Sequence, residues 1–365
     1  MLENGLGVLL EREVPRSRRF VDLFAGSGAV SIRVAQRFPI EVQAFDLQYY
    51  SAVLTDSVVR RAEKIQWQAI WRAWLQRAQQ IVPIKCPVPQ KITKSSVADL
   101  RAWSSEQFSL PITKAYGGHY FSPQQAVWFD ALRATLPRRE SARTVALASL
   151  IQVASACAAA PGHTAQPFQP TRTAKRYLLE AWNRDVIGRT KAVFQVLASQ
   201  FALMVGSAAV EDANEAAKNL QEGDLAFIDP PYSGVHYSRF YHVLETIAHG
   251  QCTEVSGTGR YPAPEFRPRS RYSVTSESNS ALDELLKSVS SNGARAIVTF
   301  PDYDCSNGLS GECLQEIARK YFRIRGRTVK SRFSSLGGTG DLRGNEAGRA
   351  PRKHANELML VLEPK

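Results

Sequence analysis

The chain of 365 residues is short of the residue patterns that build braced or metal-bound sites. Its five cysteines, Cys86, Cys157, Cys252, Cys305 and Cys313, form no CxxC pair and match no zinc spacing. An odd, scattered set is expected to remain as reduced thiols in a cytoplasmic protein. The six histidines show no HxxxH or HExxH pattern, so no structural or catalytic metal is expected. The opening stretch MLENGLGVLLEREVPRSRR has acidic residues where a signal peptide needs basic ones, and its apolar run is short. No membrane span is read either. The longest small-apolar run, TVALASLIQVASACAAA at 144–160, contains serines and a glutamine and reads as a buried helix. Internal repeats and low-complexity tracts are missing.

Acidic residues are scarce beside basic ones: 34 Asp+Glu against 46 Lys+Arg give a formal charge of +12. Such a surplus attracts polyanions, of which nucleic acid is the commonest; a merely solubilising surface is the plainer reading. Hydrophobic content of 44% and charged content of 22% are ordinary for a soluble globular chain. Length alone suggests two domains, or one with a large insertion.

Residues 20-FVDLFAGSGAVSIRVAQRF-38 read as strand, Gly-rich turn and helix, and a second strand, 40–45, ends at Asp46. This is the start of a parallel α/β sheet. A long helix is expected over about 51–82, with Trp67, Trp71 and Trp74 at helical spacing as a packed face. Pro83, Pro87, Pro89 and Pro111 then open a loop-rich, mostly helical region, and strand patterning returns at 202–210, 225–228, 295–300 and 357–362. The expected domains are a catalytic part, 1–56 and 202–365, and an inserted helical part, 57–201. The Gly/Pro/Arg-rich stretch 256–272 is expected to be a mobile loop. A second basic, Gly-rich stretch, 323–353, is also read as a loop, although Arg323, Arg325 and Arg327 alternate as in an exposed strand.

The turn 22-DLFAGSG-28 lets a ligand approach the backbone, next to the free N–H groups of a helix start. Asp46, at the end of the next strand, is placed to accept from ribose hydroxyls. A dinucleotide fingerprint needs a third glycine, and Ser31 stands there instead. Asp22 would also oppose a pyrophosphate. It suits a cationic ligand such as S-adenosylmethionine, which carries a sulfonium and an ammonium group.

The second motif is DPPY, Asp229 to Tyr232, directly after the apolar run 225-LAFI-228. A strand stop and turn is the plain reading. The chemical reading starts from an exocyclic amine, whose lone pair is delocalised into its ring. Asp229 and a proline-preceding carbonyl could accept its protons and favour a tetrahedral nitrogen. Tyr232 could stack on the base, worth about 1–3 kcal/mol, and proline stiffness would hold the acceptors in place. A base inside a duplex would have to be flipped out.

DLFAGSG followed much later by DPPY resembles the Dam-like, alpha-class adenine-specific DNA methyltransferases, which place a cofactor motif, a target-recognition insertion and DPPY in this order. Segments 120-YFSPQQAVWFDALR-133, 211-EDANEAAKNLQEGDLAFIDPPY-232 and 237-YSRFYHVLETIA-248 are similar to that class too, so most of 20–249 is covered. The resemblance implies a Rossmann-like S-adenosylmethionine-dependent methyltransferase fold with a largely helical recognition insertion. It puts Asp22, Phe24, Gly26, Gly28 and Asp46 around the cofactor, has Asp212 accept from the cofactor's adenine amino group, and gives the target base to Asp229, Pro230, Pro231 and Tyr232. Family members also carry a Gly- and Lys-rich cofactor segment before the first strand. The residues preceding Phe20 contain no such match, so either the chain's start lies too late or something else closes the pocket.

Helix 237–248 puts Tyr237, Phe240, Tyr241, Leu244 and Ile247 near one face, read as packing rather than DNA contact. Arg267, Arg269 and Arg271 in the proline-rich stretch, and Arg172, Lys175 and Arg176 in the insertion, suit phosphate contact or a solvated face equally. The expected function is site-specific methylation of the 6-amino group of adenine in double-stranded DNA. A cognate restriction or defence system is an expected partner, and the chain is expected to act as a monomer or weak dimer without membrane or metal. Cytosine 4-amino or RNA adenine methylation, a nicotinamide-dependent oxidoreductase and a non-catalytic DNA-binding relic stay open at this point.

Overall fold

Four consecutive buried residues, Leu225–Ile228, form a strand covered on both faces, and the sheet is built around such runs. The computed structural model describes residues 2, 5–82, 85–89, 91–334 and 352–365. Pro83 and the 335–351 part of the second basic stretch lie outside them. By contacts the chain divides into two units, one of residues 1–47, 202–237 and 269–365, the other of 48–201 and 238–268.

The first unit holds the sheet. In chain order the described strands are β1 (Arg19–Asp22), β2 (Glu41–Asp46), β3 (Ser207–Val210), β4 (Leu225–Ile228), then β5 (Val255–Ser256) and β6 (Tyr261–Pro262), which form a small ribbon in the second unit, and β7 (Arg295–Pro301), β8 (Phe322–Ser334) and β9 (Arg352–Pro364). The large sheet runs β3-β2-β1-β4-β7-β9-β8, parallel from β3 to β7, with β9 antiparallel to both its neighbours. Helix Ser278–Ser291 lays Leu282, Leu285, Leu286 and Val289 into a core with Ala226, Ile228, Val298 and Phe300. At the strands' N-terminal edge, buried Glu13 accepts from Arg295 at 2.5 Å, and Arg19 meets Asp224 at 2.5 Å. Structural ion pairs therefore brace one edge of the sheet, and the motif carboxylates occupy the other.

The second unit is mostly helical. Helix Glu140–Cys157, which contains most of the apolar run, is largely buried, as expected. The single helix expected over 51–82 is two, Tyr49–Val59 and Trp67–Ile81. Arg61 is the reason: it turns back to donate to the carbonyls of Ser57 and Glu63, satisfying the first helix's end and its exit. Trp71 and Trp74 pack against Phe194, and Trp74 donates to the Leu132 carbonyl. Helix Tyr49–Val59, buried on nearly every side, packs against Glu140–Cys157 and Ser238–His249. That packing draws 48–56 and 238–268 into the second unit, where the sequence boundaries had them in the catalytic part.

Two expected loops are structured. Stretch 256–272 carries β6 and is pinned at Gly259, whose carbonyl accepts from the Tyr120 hydroxyl at 2.8 Å, and Arg260 donates to the Ala115 carbonyl. Residues 322–334 form β8 and 352–364 form β9. Arg323, Arg325 and Arg327 are exposed on β8, a charged edge that discourages pairing with another chain. Conversely, 202–206 is irregular, and β3 starts only at Ser207. Among the described residues no helix is long and apolar enough to cross a membrane.

Candidate active site

From β1 the chain builds β2 and β3 on one side, then returns as β4 on the other side of β1. Open α/β sheets bind ligands outside the strands' carboxyl ends at such a reversal. Register puts Asp22, the last residue of β1, beside Phe227, so the residues that leave β4, Asp229 onwards, emerge next to it. The two motifs, some two hundred residues apart in sequence, share one edge.

Asp22 is almost completely buried. Its carboxylate accepts from Ser31 Oγ at 2.6 Å and from the Phe24 amide at 3.2 Å. Burial lifts its pKa to about 7, against those hydrogen bonds, and Asp46 pushes it further up. Ser31, which spoils a dinucleotide fingerprint, is thus the donor that holds this carboxyl. Gly26 and Gly28 take φ of 54° and 77°, and the Gly26 amide donates to Asp46 Oδ2 at 2.9 Å. Asp46 therefore fastens the turn as well as ending β2.

Phe24 meets the Tyr272 ring edge-on, with centroids 5.1 Å apart. The buried Tyr272 hydroxyl donates to Asn214 Oδ1 at 2.7 Å. Asp212 caps the short helix Ala213–Ala217 by accepting from the Asn214 amide at 2.9 Å. Phe24 and Asp212, matched to the cofactor by resemblance, are thus joined through Tyr272 and Asn214, neither of which the sequence marked.

On the other side of the crevice, Asp229 is half-buried and Pro230 buried. Burial raises the Asp229 pKa to about 7; the Thr299 hydroxyl works against the rise, and Glu357 and Asp22 add to it. Thr299 is itself fully buried, and its hydroxyl finds no well-formed hydrogen bond with another described group. Tyr232 is 41% exposed, with its ring edge-on to Tyr237 at 6.4 Å. A flat, accessible aromatic ring thus stands three residues from an acceptor carboxyl.

This edge collects Asp22, Asp46, Asp229 and Glu357, carboxyls that bear on one another electrostatically. A pyrophosphate would meet like charge, whereas an ammonium or sulfonium would relieve it, so the residues fit a cationic cofactor.

The basic residues fall in different places. Arg172 and Arg176 are exposed and Lys175 half-buried at the start of helix Lys175–Trp182, with the Arg176 guanidinium 4.5 Å over the Tyr177 ring. Arg267 walls a cavity of about 460 Å³ in the second unit, with Gln48, Glu245 and His249, and its Nε is buried without a hydrogen-bond partner among described groups. Arg269 and Arg271 are each occupied, by Glu277 at 2.5 Å and Glu284 at 2.6 Å. Within helix Ser238–His249, Leu244 and Ile247 are buried, and Phe240 and Tyr241 meet the His163 and Tyr50 rings at a tilt, with centroids 4.7 and 5.5 Å apart.

The sheet order, the cation-suited turn and the DPPY loop at the switch point are consistent with a methyltransferase fold. The family model for D12 class N6 adenine-specific DNA methyltransferases matches residues 7–80 and 178–297, more than half the chain, and the chain belongs to that family. It is 26% identical to the type II methyltransferase M.FokI of Planomicrobium okeanokoites over 79% of this chain and 41% of that protein. It is also 26% identical to the type II methyltransferase M.NlaIII of Neisseria lactamica, over 63% of this chain and 60% of the relative. A shorter stretch, 21% of this chain and 12% of the relative, is 39% identical to modification methylase LlaI of Lactococcus lactis subsp. lactis. The chain thus spans less than half the length of the first relative, three-fifths of the second and far less of the third.

Proposed function

We propose that the chain methylates the 6-amino group of adenine at specific sites in double-stranded DNA, with S-adenosylmethionine as methyl donor. The observation that carries the reading is the meeting of Asp22 and the Asp229–Tyr232 loop at the carboxyl ends of adjacent strands β1 and β4. Asp22, Phe24, Gly26, Gly28, Asp46 and Asp212 would hold the donor, which when bound supplies an electrophilic methyl group on a sulfonium. Asp22 and Asp46 attract that charge, and the Gly26–Gly28 turn lets the backbone approach it.

The target adenine, flipped from the duplex, stacks on Tyr232. Asp229 and the Pro230 carbonyl accept its two amino protons, which turns the nitrogen lone pair out of the ring system. The nitrogen must shed a proton as it gains carbon, and Asp229, with a pKa near 7, is matched to take it at neutral pH. Arg172, Lys175, Arg176, Arg267, Arg269 and Arg271 are the proposed phosphate contacts, the last two by exchanging their glutamates for DNA. The type II and modification names of the relatives favour a partner restriction activity in the same cytoplasm.

The test is transfer of labelled methyl groups to unmethylated DNA, followed by sequencing that reports the modified base and its site. N6-methyladenine at a fixed sequence is expected, and Asp229→Ala should lower the rate by at least about a hundredfold while retaining cofactor binding. Undiminished transfer by that variant would overturn the role of Asp229 as acceptor and base.

A further inference from the structure

The DPPY loop has an unusual need. Pro230 and Pro231 have no N–H to donate, so the loop cannot fasten itself by ordinary backbone pairing. What fastens it is a second loop, 302–310, which follows β7. Asn307 is fully buried there, and its Nδ2 donates to the Pro231 carbonyl at 2.8 Å and to the Tyr272 carbonyl at 2.8 Å. Both amide protons are used, and Asn307 Oδ1 accepts from the Leu309 amide at 3.3 Å. The contact continues along the chain: the Gly234 amide donates to Ser306 Oγ at 3.0 Å. A Cβ at Gly234 would come within 2.7 Å of the Ser306 carbonyl, so the two loops lie backbone against backbone.

We propose that Asn307 is a positioning residue for the reaction, setting the acceptor and stacking groups of the DPPY loop. The inference rests on the reading of that loop as the base-binding element. The Pro231 carbonyl belongs to the peptide plane that leads into Tyr232, so holding it fixes the direction in which the Tyr232 side chain leaves the backbone. The Pro231 ring fixes φ, so the preceding plane, which carries the Pro230 carbonyl, is set with it. The same amide holds Tyr272, whose ring meets Phe24 and whose hydroxyl reaches Asn214. One side chain therefore registers the base-binding loop against residues on the cofactor side.

Asn307→Asp keeps the shape but replaces the donor with an oxygen facing two carbonyls; Asn307→Ser is a smaller second variant, in case the first does not fold. Ser278→Ala is the control, because the Ser278 hydroxyl donates to the Asn307 backbone carbonyl at 2.8 Å and leaves its amide on the loop. Steady-state methyl transfer to unmethylated plasmid DNA, cofactor binding and melting temperature are measured for each protein. Either Asn307 variant should lose about 10- to 100-fold in kcat, with the KM for DNA and the cofactor affinity changed less than about threefold. Ser278→Ala should melt at a lower temperature with kcat close to wild type. Folded Asn307 variants with wild-type kcat would overturn the proposal, as would a kcat loss that merely tracks melting temperature across all three variants. A wild-type protein that binds cofactor but leaves adenine unmodified would bring down the functional reading itself, and this proposal with it.

Discussion

Asp22 is a carboxyl that folding makes harder to ionise. Its pKa rises to about 7 through burial, above the ordinary aspartate value. The sign of its effect on stability follows. Between about pH 4 and pH 7 the folded state holds a proton that the unfolded state has released. This group's contribution therefore falls as pH rises through that window, by about 1.4 kcal/mol per pH unit at most, and levels off above it. Asp22→Asn removes the titration, so the variant without cofactor should gain stability over wild type progressively from about pH 4 to about pH 7 and hold that gain at higher pH. Denaturant midpoints across this range are the measurement, and a constant difference between the two proteins would contradict the argument. The same substitution should weaken the cationic cofactor. The sequence made Asp22 legible as a charge unsuited to pyrophosphate, because type and position suffice for that. It did not reveal Ser31 as the partner of Asp22, since the fit of a hydroxyl to a carboxylate nine residues back depends on how the turn closes. Asn307 was hidden for a stronger reason: its contact to Pro231 joins loops 76 residues apart.

At the scale of elements, the strand–turn–helix around DLFAGSG and the strand before DPPY were readable, because short apolar runs ending in Gly or Pro leave little choice of conformation. Helix Trp67–Ile81 was readable only in part, since its tryptophan stripe carries the helical period but the break before it comes from Arg61, a polar residue in a polar stretch. Stretch 256–272 misled for a related reason: Gly, Pro and Arg signal a loop, while its order comes from distant Tyr120. The glycine turn itself makes a prediction. Gly26 sits at φ +54°, and a Cβ there would meet no atom nearer than 3.9 Å. Gly26→Ala should therefore be limited by backbone strain rather than by a clash, at about 1–2 kcal/mol. The turn also carries the amide bound to Asp46, so strain should appear as weaker cofactor binding as well as lower stability. Calorimetric titration with S-adenosylmethionine, set beside thermal unfolding, separates the two effects, and an unchanged affinity would remove this turn from the cofactor site.

For the whole molecule, the order of cofactor motif, insertion and DPPY was legible, and with it the division into a sheet unit and a helical unit. The borders were not, because helices Tyr49–Val59 and Ser238–His249 flank the motifs in sequence but bury their side chains in the helical unit. The charge of +12 was visible from composition, and what remains is where it acts. Arg269 and Arg271 already neutralise glutamates, whereas Arg172 and Arg176 are exposed, Arg176 over the Tyr177 ring, and Lys175 stands between them in a basic segment. Each phosphate contact adds about 0.9 to the magnitude of the slope of log affinity against log salt. Replacing Arg172, Lys175 and Arg176 together by glutamine should therefore weaken DNA binding on all sequences alike and flatten that slope by roughly 2–3. Replacing Arg269 and Arg271 should change the slope less, since DNA gains only what their glutamates give up. Anisotropy titrations of a labelled duplex over a series of salt concentrations would decide it, and equal slopes for wild type and the triple variant would mean that DNA does not meet the protein at that helix.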